Sequence, residues 1–218
     1  MKKTVVVAFI FGMIFLNGTG VVFAKKGFSL GVDFPYNSIE SDFDGKRGYV
    51  STNGNETLLV PKIDSAFGFG VLFGFGYTPE SALEINYQAS THRSTWQGLN
   101  FDVNYSVLNF NYKYSFQDFG ETQPYLMLGL GLNTLTVKNG ASMASPFQIG
   151  DAKYTGISFN FEGGIDHYFT PNISAGFGLA YHYVDFTQGA GISTSGKLPS
   201  GLNGSGFGMI LSTAYHFQ

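Results

Sequence analysis

Phe67-Gly68-Phe69-Gly70-Val71-Leu72-Phe73-Gly74-Phe75-Gly76-Tyr77 is the stretch that decides the fold. Its odd positions are all apolar or aromatic, and glycine fills the even ones except Leu72. Successive side chains of a strand face opposite sides of the sheet, so a period of two builds one continuous apolar stripe and one nearly bare face. A helix would repeat its apolar positions near every third or fourth residue, and this segment does not. A stripe of this length suits a wall with lipid on one side and a crowded interior on the other.

The alternation returns in seven further segments. Phe28, Leu30, Val32 and Phe34 oppose Ser29, Gly31 and Asp33, and Leu83, Ile85 and Tyr87 oppose Glu84, Asn86 and Gln88. Leu108, Phe110, Tyr112, Tyr114 and Phe116 oppose Asn109, Asn111, Lys113 and Ser115. Leu126, Leu128, Leu130 and Leu132 oppose Met127, Gly129, Gly131 and Asn133. Ile157, Phe159, Phe161 and Ile165 oppose Ser158, Asn160, Glu162 and Asp166. The last two segments set Ile173 to Tyr183 against Ser174, Gly176, Gly178 and His182, and Phe207 to Phe217 against Gly206, Gly208, Ser212 and His216. An even number of strands with this pattern predicts an all-β fold, an eight-stranded antiparallel transmembrane β-barrel with both chain ends on one side. One stretch is out of phase: Phe101, Val103 and Tyr105 are odd, whereas the apolar residues from Leu108 onward are even. A bulge near Val107 could reset the phase. Projection of the first part beyond the membrane is preferred, because Leu108 to Phe116 alone approaches the roughly 9–11 residues of a tilted spanning strand.

The connections alternate in length. Thr78-Pro79-Glu80, residues 117–123 and Thr170-Pro171-Asn172 are short and carry turn residues. Residues 37–65, 90–100, 138–156 and 187–205 read as longer loops rich in Gly, Ser, Asn and charge. Short periplasmic turns and four longer extracellular loops follow from the usual asymmetry of such barrels. Aromatic girdles are expected at Tyr77, Tyr114, Phe116, Phe169 and Tyr215 on the periplasmic rim, and at Tyr36, Trp96, Tyr181 and Tyr183 on the outer rim. A soluble lipocalin-like barrel would turn the stripes inward and leave glycine and charge outside.

Export fits the same picture. Lys2 and Lys3 precede an apolar run from Val5 to Leu16, and a more polar stretch leads to Val22-Phe23-Ala24. That order reads as a signal peptide over residues 1–24, cut after Ala24, with the barrel domain over 25–218. The run is too short for a convincing anchor helix. Two lysines leave with this leader and no acid does, so ten basic residues face fifteen acidic ones, a formal charge of −5. That balance offers no footprint for nucleic acid. With no cysteine, neither disulfides nor thiolate chemistry is available. Aromatics make up 17% and charged residues only 12%, the latter about half the share of a soluble domain.

Tyr112-Lys113-Tyr114-Ser115-Phe116, Gln123-Pro124-Tyr125-Leu126-Met127-Leu128-Gly129-Leu130-Gly131 and the stretch from Gly163 to Asn172 together resemble the small outer-membrane barrels of the OmpA/OmpW type, including the opacity-protein-like group. The resemblance spans the whole mature chain. It implies residence in the bacterial outer membrane and contact with its lipid and lipopolysaccharide. The last strand resembles the signal read by the barrel-assembly machinery, alternating up to Phe217 but ending in Gln218 rather than an aromatic residue.

Candidate sites are few. Glu84, Lys113, Glu162, Asp33, Asp166 and His182 all point into the lumen by phase. Glu84 and Lys113 lie at similar depth on neighbouring strands, and a lumenal charge needs a partner, so they are expected to pair. Such a network serves either as filling or as a gate, and filling is the simpler role in a barrel this narrow. The inward glycines could still leave a narrow channel. His92 with Ser94, and His182 with Asp185, are the candidates for hydrolysis, but no nucleophile–base–orienter constellation is visible. The Gly68-Phe69-Gly70 repeats lack the helix and acid of a dinucleotide fingerprint. No catalytic residue, cofactor or metal is expected. Three roles remain in order: a surface-interaction, adhesin-like protein of the envelope working through its loops, above all the charged first one with Asp42, Asp44, Lys46, Arg47 and Glu56; a narrow porin-like channel for small or hydrophobic solutes, as the OmpW-type resemblance implies; and, remotely, a lipid-modifying enzyme. The barrel is expected to be a monomer.

Overall fold

Peptide groups that cross hydrocarbon must find their hydrogen-bond partners within the protein, and a sheet achieves this only by closing on itself. The computed structural model describes residues 26–51, 56–144 and 147–217. Its strands are β1 (Gly27–Asn37), β2 (Gly48–Ser51), β3 (Glu56–Val60), β4 (Lys62–Ile63), β5 (Ala66–Gly76), β6 (Ser81–Trp96), β7 (Leu99–Ser115), β8 (Thr122–Ala144), β9 (Phe147–Thr170), β10 (Ile173–Ala190), β11 (Ser195–Asn203) and β12 (Gly206–His216). Eight of them form the antiparallel ring β1-β5-β6-β7-β8-β9-β10-β12, and β12 returns to β1 through pairs such as Leu30–Tyr215 and Phe34–Leu211. The expected eight-stranded barrel is therefore the fold. The leader over 1–24, its cut after Ala24 and the terminal Gln218 lie outside the described residues.

The faces follow the sequence phase. Phe73 is 46% exposed and Leu130 64%, while Glu84, Asn86, Glu162 and Asp166 are buried inside. No helix among the described residues is long and apolar enough to cross a membrane, so crossing falls to these strands.

The strands outgrow the membrane. β8 and β9 run for 23 and 24 residues, about twice what a crossing needs. The stretches over 90–100, 138–156 and 187–205, expected as loops, are for the most part strand. β6 and β7 are joined only by Gln97 and Gly98, with φ of 48° and 80°. Two consecutive positive φ values define the tight turn whose twist matches a hairpin.

β7 pairs with β6 without interruption from Tyr114 back to Leu99, so no bulge sits at Val107. Instead, the chemistry of the two faces inverts along an unbroken strand. Toward the periplasm, Asn111 and Lys113 face in while Phe110 and Tyr112 are exposed outside; toward the exterior, Val103, Tyr105 and Val107 are buried inside and Asn104 faces water. The projection reading is right, and its cause is the change of solvent around the wall. β8, β9 and β10 repeat the inversion, burying Leu135, Val137, Ala152, Tyr154, Val184 and Phe186 inside the mouth.

The first loop fills that mouth. Ile39, Phe43, Leu58, Leu59, Val60 and Ile63 join those residues in one apolar cluster. The ring of Phe43 stands edge-on to Tyr154 and to Phe186, with centroids 5.7 Å from each. β3 extends the wall beside β8, and β4 beside β6. Each large apolar side chain withdrawn from water here contributes about 1.5–3 kcal/mol, an upper figure because unfolded chains are partly collapsed. Trp96, expected in the outer girdle, instead packs against Gly48 and against Tyr49 at 6.0 Å. The first loop drew it away.

Phe73→Asp puts a charge on the lipid face near the middle of the wall and is expected to cost about 2 kcal/mol of membrane stability. Folding into lipid vesicles, read as the mobility difference between boiled and unboiled samples, should drop. Wild-type yield would mean that the facing is reversed.

Candidate functional site

Neighbouring polar side chains occupy the space that the inward glycines yield. Gly178 gives way to Glu162 and Tyr125, Gly176 to Asp166 and Ser212, and Gly131 to Ser158 and Asn109. The lumen holds a cavity of about 60 Å³ midway and another of about 70 Å³ toward the periplasm. Each has room for a handful of waters.

The lumen is organised around one cation. Lys113 Nζ lies 2.7 Å from Asp166 and 3.6 Å from Glu84, and 4.1 Å from the centre of the Tyr125 ring. The expected Glu84–Lys113 pair forms, but Asp166 is the closer partner. The Tyr125 hydroxyl donates to Glu162 at 2.5 Å, and Asn86 and Gln88 donate to Asp33. His182 lines the mid-lumen cavity, with Nε2 unpartnered among the described residues. All six residues singled out by phase thus face the lumen. The pairings among them depend on which strands meet across the interior, which the phase of a single strand does not contain. Tyr125, Asn86 and Gln88 were missed as partners for the same reason.

A second assembly ties the first loop to the β10–β11 turn. Glu56 begins β3 and is 1% exposed. Its carboxylate accepts the backbone N–H of Ile192, and both the N–H and the hydroxyl of Thr194. A side chain at Gly191 would collide with it. The β10–β11 turn, closed by Gly191 N–H to Thr194 carbonyl at 2.9 Å, therefore presents a nest of donors to the first loop. Burial alone would raise the Glu56 pKa, yet the bonds from Thr194 and Ile192 outweigh it and hold it below its ordinary 4.5. A charge inside the first loop was legible; its destination on the fourth was not.

His92 and Ser94 do not form a hydrolytic pair. His92 Nδ1 lies 2.8 Å from the Asp64 carbonyl and so carries the proton, leaving Nε2 to accept from Ser90 at 2.7 Å. Ser94 donates to the Phe101 carbonyl instead. Ser90 and His92 line neither lumen cavity. Among the described residues no group of three or more His, Asp or Glu could hold a metal ion.

Comparison with known proteins decides the family. The model of the outer membrane protein beta-barrel domain matches residues 18–212. The chain belongs to that family. Its place is accordingly the bacterial outer membrane, in contact with that membrane's lipids. Among solved structures it is similar to Neisserial surface protein A, at 16% identity over 88% of this chain and 98% of the other, with a TM-score of 0.57. It is also similar to the outer membrane protein OprG from Pseudomonas aeruginosa, at 15% identity over 91% of this chain and all of the other, with a TM-score of 0.52. At such identities the likeness concerns the fold alone. No curated protein matches the sequence.

Two outcomes follow from this geometry. Lys113→Met strands Asp166 and Glu84 without their cation and should destabilise the barrel by about 3–5 kcal/mol, read from urea unfolding in detergent; an unchanged midpoint would mean the pairing is idle. A carboxyl whose pKa is depressed on folding stabilises above its unfolded value and loses that contribution as pH falls through the folded one. The Glu56 contacts should therefore be complete at neutral pH and be lost on acidification past the ordinary 4.5, as pH falls through the lower folded value. Trp96, the single tryptophan, ends β6, packs against Tyr49 of the first loop and so reports that loop's position. Its emission should shift on acidification, and in Glu56→Ala should be shifted already at pH 7, because removal of the carboxylate leaves three donors unmatched at roughly 2 kcal/mol. Emission insensitive to both would disprove the contact's role.

Proposed function

We propose that this is a sealed, non-conducting barrel that displays a rigid extracellular surface, an adhesin-like envelope protein rather than a pore. The observation that carries the reading is the closed mouth: the first loop packs apolar side chains onto an apolar lining and is tied to the fourth loop through Glu56. Below it, Lys113 and its partners separate two small cavities. The lumenal polar network then serves as filling, and His92 and Ser94 serve as structure.

The surface raised by this plan is stiff and not wholly polar. Tyr49 is 52% exposed, Leu99 63% and Ile149 58%, on strands that carry them beyond the membrane. Exposed apolar groups on a rigid scaffold are the ordinary material of a protein contact. The chain closes its own sheet, so the wall needs no second copy. Its closing strand, with Phe207, Met209, Leu211, Tyr215 and Phe217 outward, is suited to recognition by the assembly machinery. Processing after Ala24, leaving the barrel domain 25–218, completes the reading.

Planar-bilayer recording should show no discrete current from the refolded wild type; unitary steps would overturn the sealed barrel in favour of a channel. Cells displaying the protein should bind host-cell or matrix surfaces, and substituting Tyr49, Leu99 and Ile149 together by Ser should weaken that binding about tenfold or more, with the gel shift unchanged. Binding that survives the triple change would overturn the surface-contact role.

A further inference from the structure

Several extracellular cations are already neutralised. Lys46 meets Asp44 at 2.6 Å, Arg47 meets Asp42 at 2.8 Å, and Lys138 meets Asp151 at 2.6 Å. Lys153 and Lys197 take part in no ion pair among the described residues, and both are exposed. They stand on either side of β10. Register sets Thr155 beside Gln188 and Gln188 beside Lys197; in the next row Lys153 lies beside Ala190, and Ala190 beside Ser195. The two lysines thus face each other diagonally across one strand, on the outer surface of the wall.

The strand between them is irregular. Pairing of β10 slips between Phe186 and Gln188 on both of its edges, leaving Thr187 out of register. Such a slip re-aims side chains and parts the surface. An open cleft of about 520 Å³ results, lined by Lys153, Thr155, Thr187, Gln188, Ser195 and Lys197 among others.

Its height above the membrane is set by β9. Ile157 ends the continuous stripe of large apolar residues on the outward face, and Lys153 lies four residues beyond it. At about 3.3 Å per residue and a tilt near 45°, Lys153 stands roughly 9 Å above the apolar edge. A lysine stem can bend that distance back to the headgroup layer. Asp151 is engaged by Lys138, and Asp185 sits lower, in register with Ile157. In a chain of net negative charge, two unneutralised lysines at one cleft are not background.

We propose that this cleft binds the phosphate of a phosphorylated glycolipid of the outer leaflet. Lys153 and Lys197 hold the phosphate oxygens, Thr155, Thr187, Gln188 and Ser195 face the sugar, and the acyl chains run down the apolar wall past Ile157 and Tyr183. The proposal rests on the membrane location and not on the surface-contact role, so either can fail alone.

The test uses the refolded barrel in nanodiscs doped with a bisphosphorylated glycolipid, with retained lipid counted by native mass spectrometry. Lys153→Gln with Lys197→Gln should reduce retention about tenfold, as loss of charge-assisted hydrogen bonds does. The double arginine variant should restore it, and Lys62→Gln, at an exposed lysine elsewhere, should leave it unchanged. The heat-dependent gel shift confirms that each variant is folded. Equal retention by the double Gln variant, or of a dephosphorylated glycolipid by the wild type, would overturn the site. Displacement of the lipid by millimolar inorganic phosphate would make it a free-anion site and overturn the lipid assignment.

Discussion

The whole molecule depends on one constraint: within hydrocarbon, no backbone N–H or carbonyl can be left without a partner. Closure of β12 onto β1 meets it, and everything else follows from the narrowness of an eight-stranded ring. A ring of this size has interior space for side chains and little more. Its inward positions must therefore be small, or polar and mutually satisfied. Gly176, Gly178, Gly129 and Gly131 supply the first kind, and Lys113, Asp166, Glu84, Tyr125 and Glu162 the second. One cation shared between two carboxylates is an economical solution where each extra buried charge would be costly.

Above the membrane the constraint changes sign. Water surrounds the wall, so the outside turns polar and the inside must be dry. An apolar lining around an empty mouth would be wet and unstable, and the first loop supplies the missing core. Glu56 and the Gly191–Thr194 turn then fix that core to the opposite hairpin through hydrogen bonds, beside the packing of Phe186, Leu198 and Leu202. The closed mouth, on which the functional reading rests, is a consequence of how far the strands project.

Much of this was legible in the residues. Alternation at Phe67–Tyr77 and its seven repeats settled strand number, faces and membrane residence, because lipid outside enforces a strict period of two. The inverted stretch Phe101–Tyr105 signalled projection. The same signal lay unread in Leu135 and Val137, in Ala152 and Tyr154, and in Val184 and Phe186, where glycine, serine and charge suggested loops. Leu58-Leu59-Val60 was the overlooked hint that the first loop is not free, since three consecutive apolar residues have no reason to face water. Pairings across the lumen were beyond the sequence. Asp166 reaches Lys113 from β9, a partner that no local spacing indicates.

The inversion of faces has a consequence for how the chain is divided. Tyr87, Leu108, Leu132 and Ile157 are register partners in turn across four adjacent strands, and each ends the continuous outward stripe of large apolar residues on its strand. No bulge interrupts the β6–β7 ladder at this row. Two modules of different chemistry thus meet at one continuous seam: a lipid-bounded cylinder below, and above it a cap built like a water-soluble sheet protein. Because the ladder runs straight through, the seam is a natural splice point, at which a cap could be carried from one eight-stranded wall to another without altering the register of either.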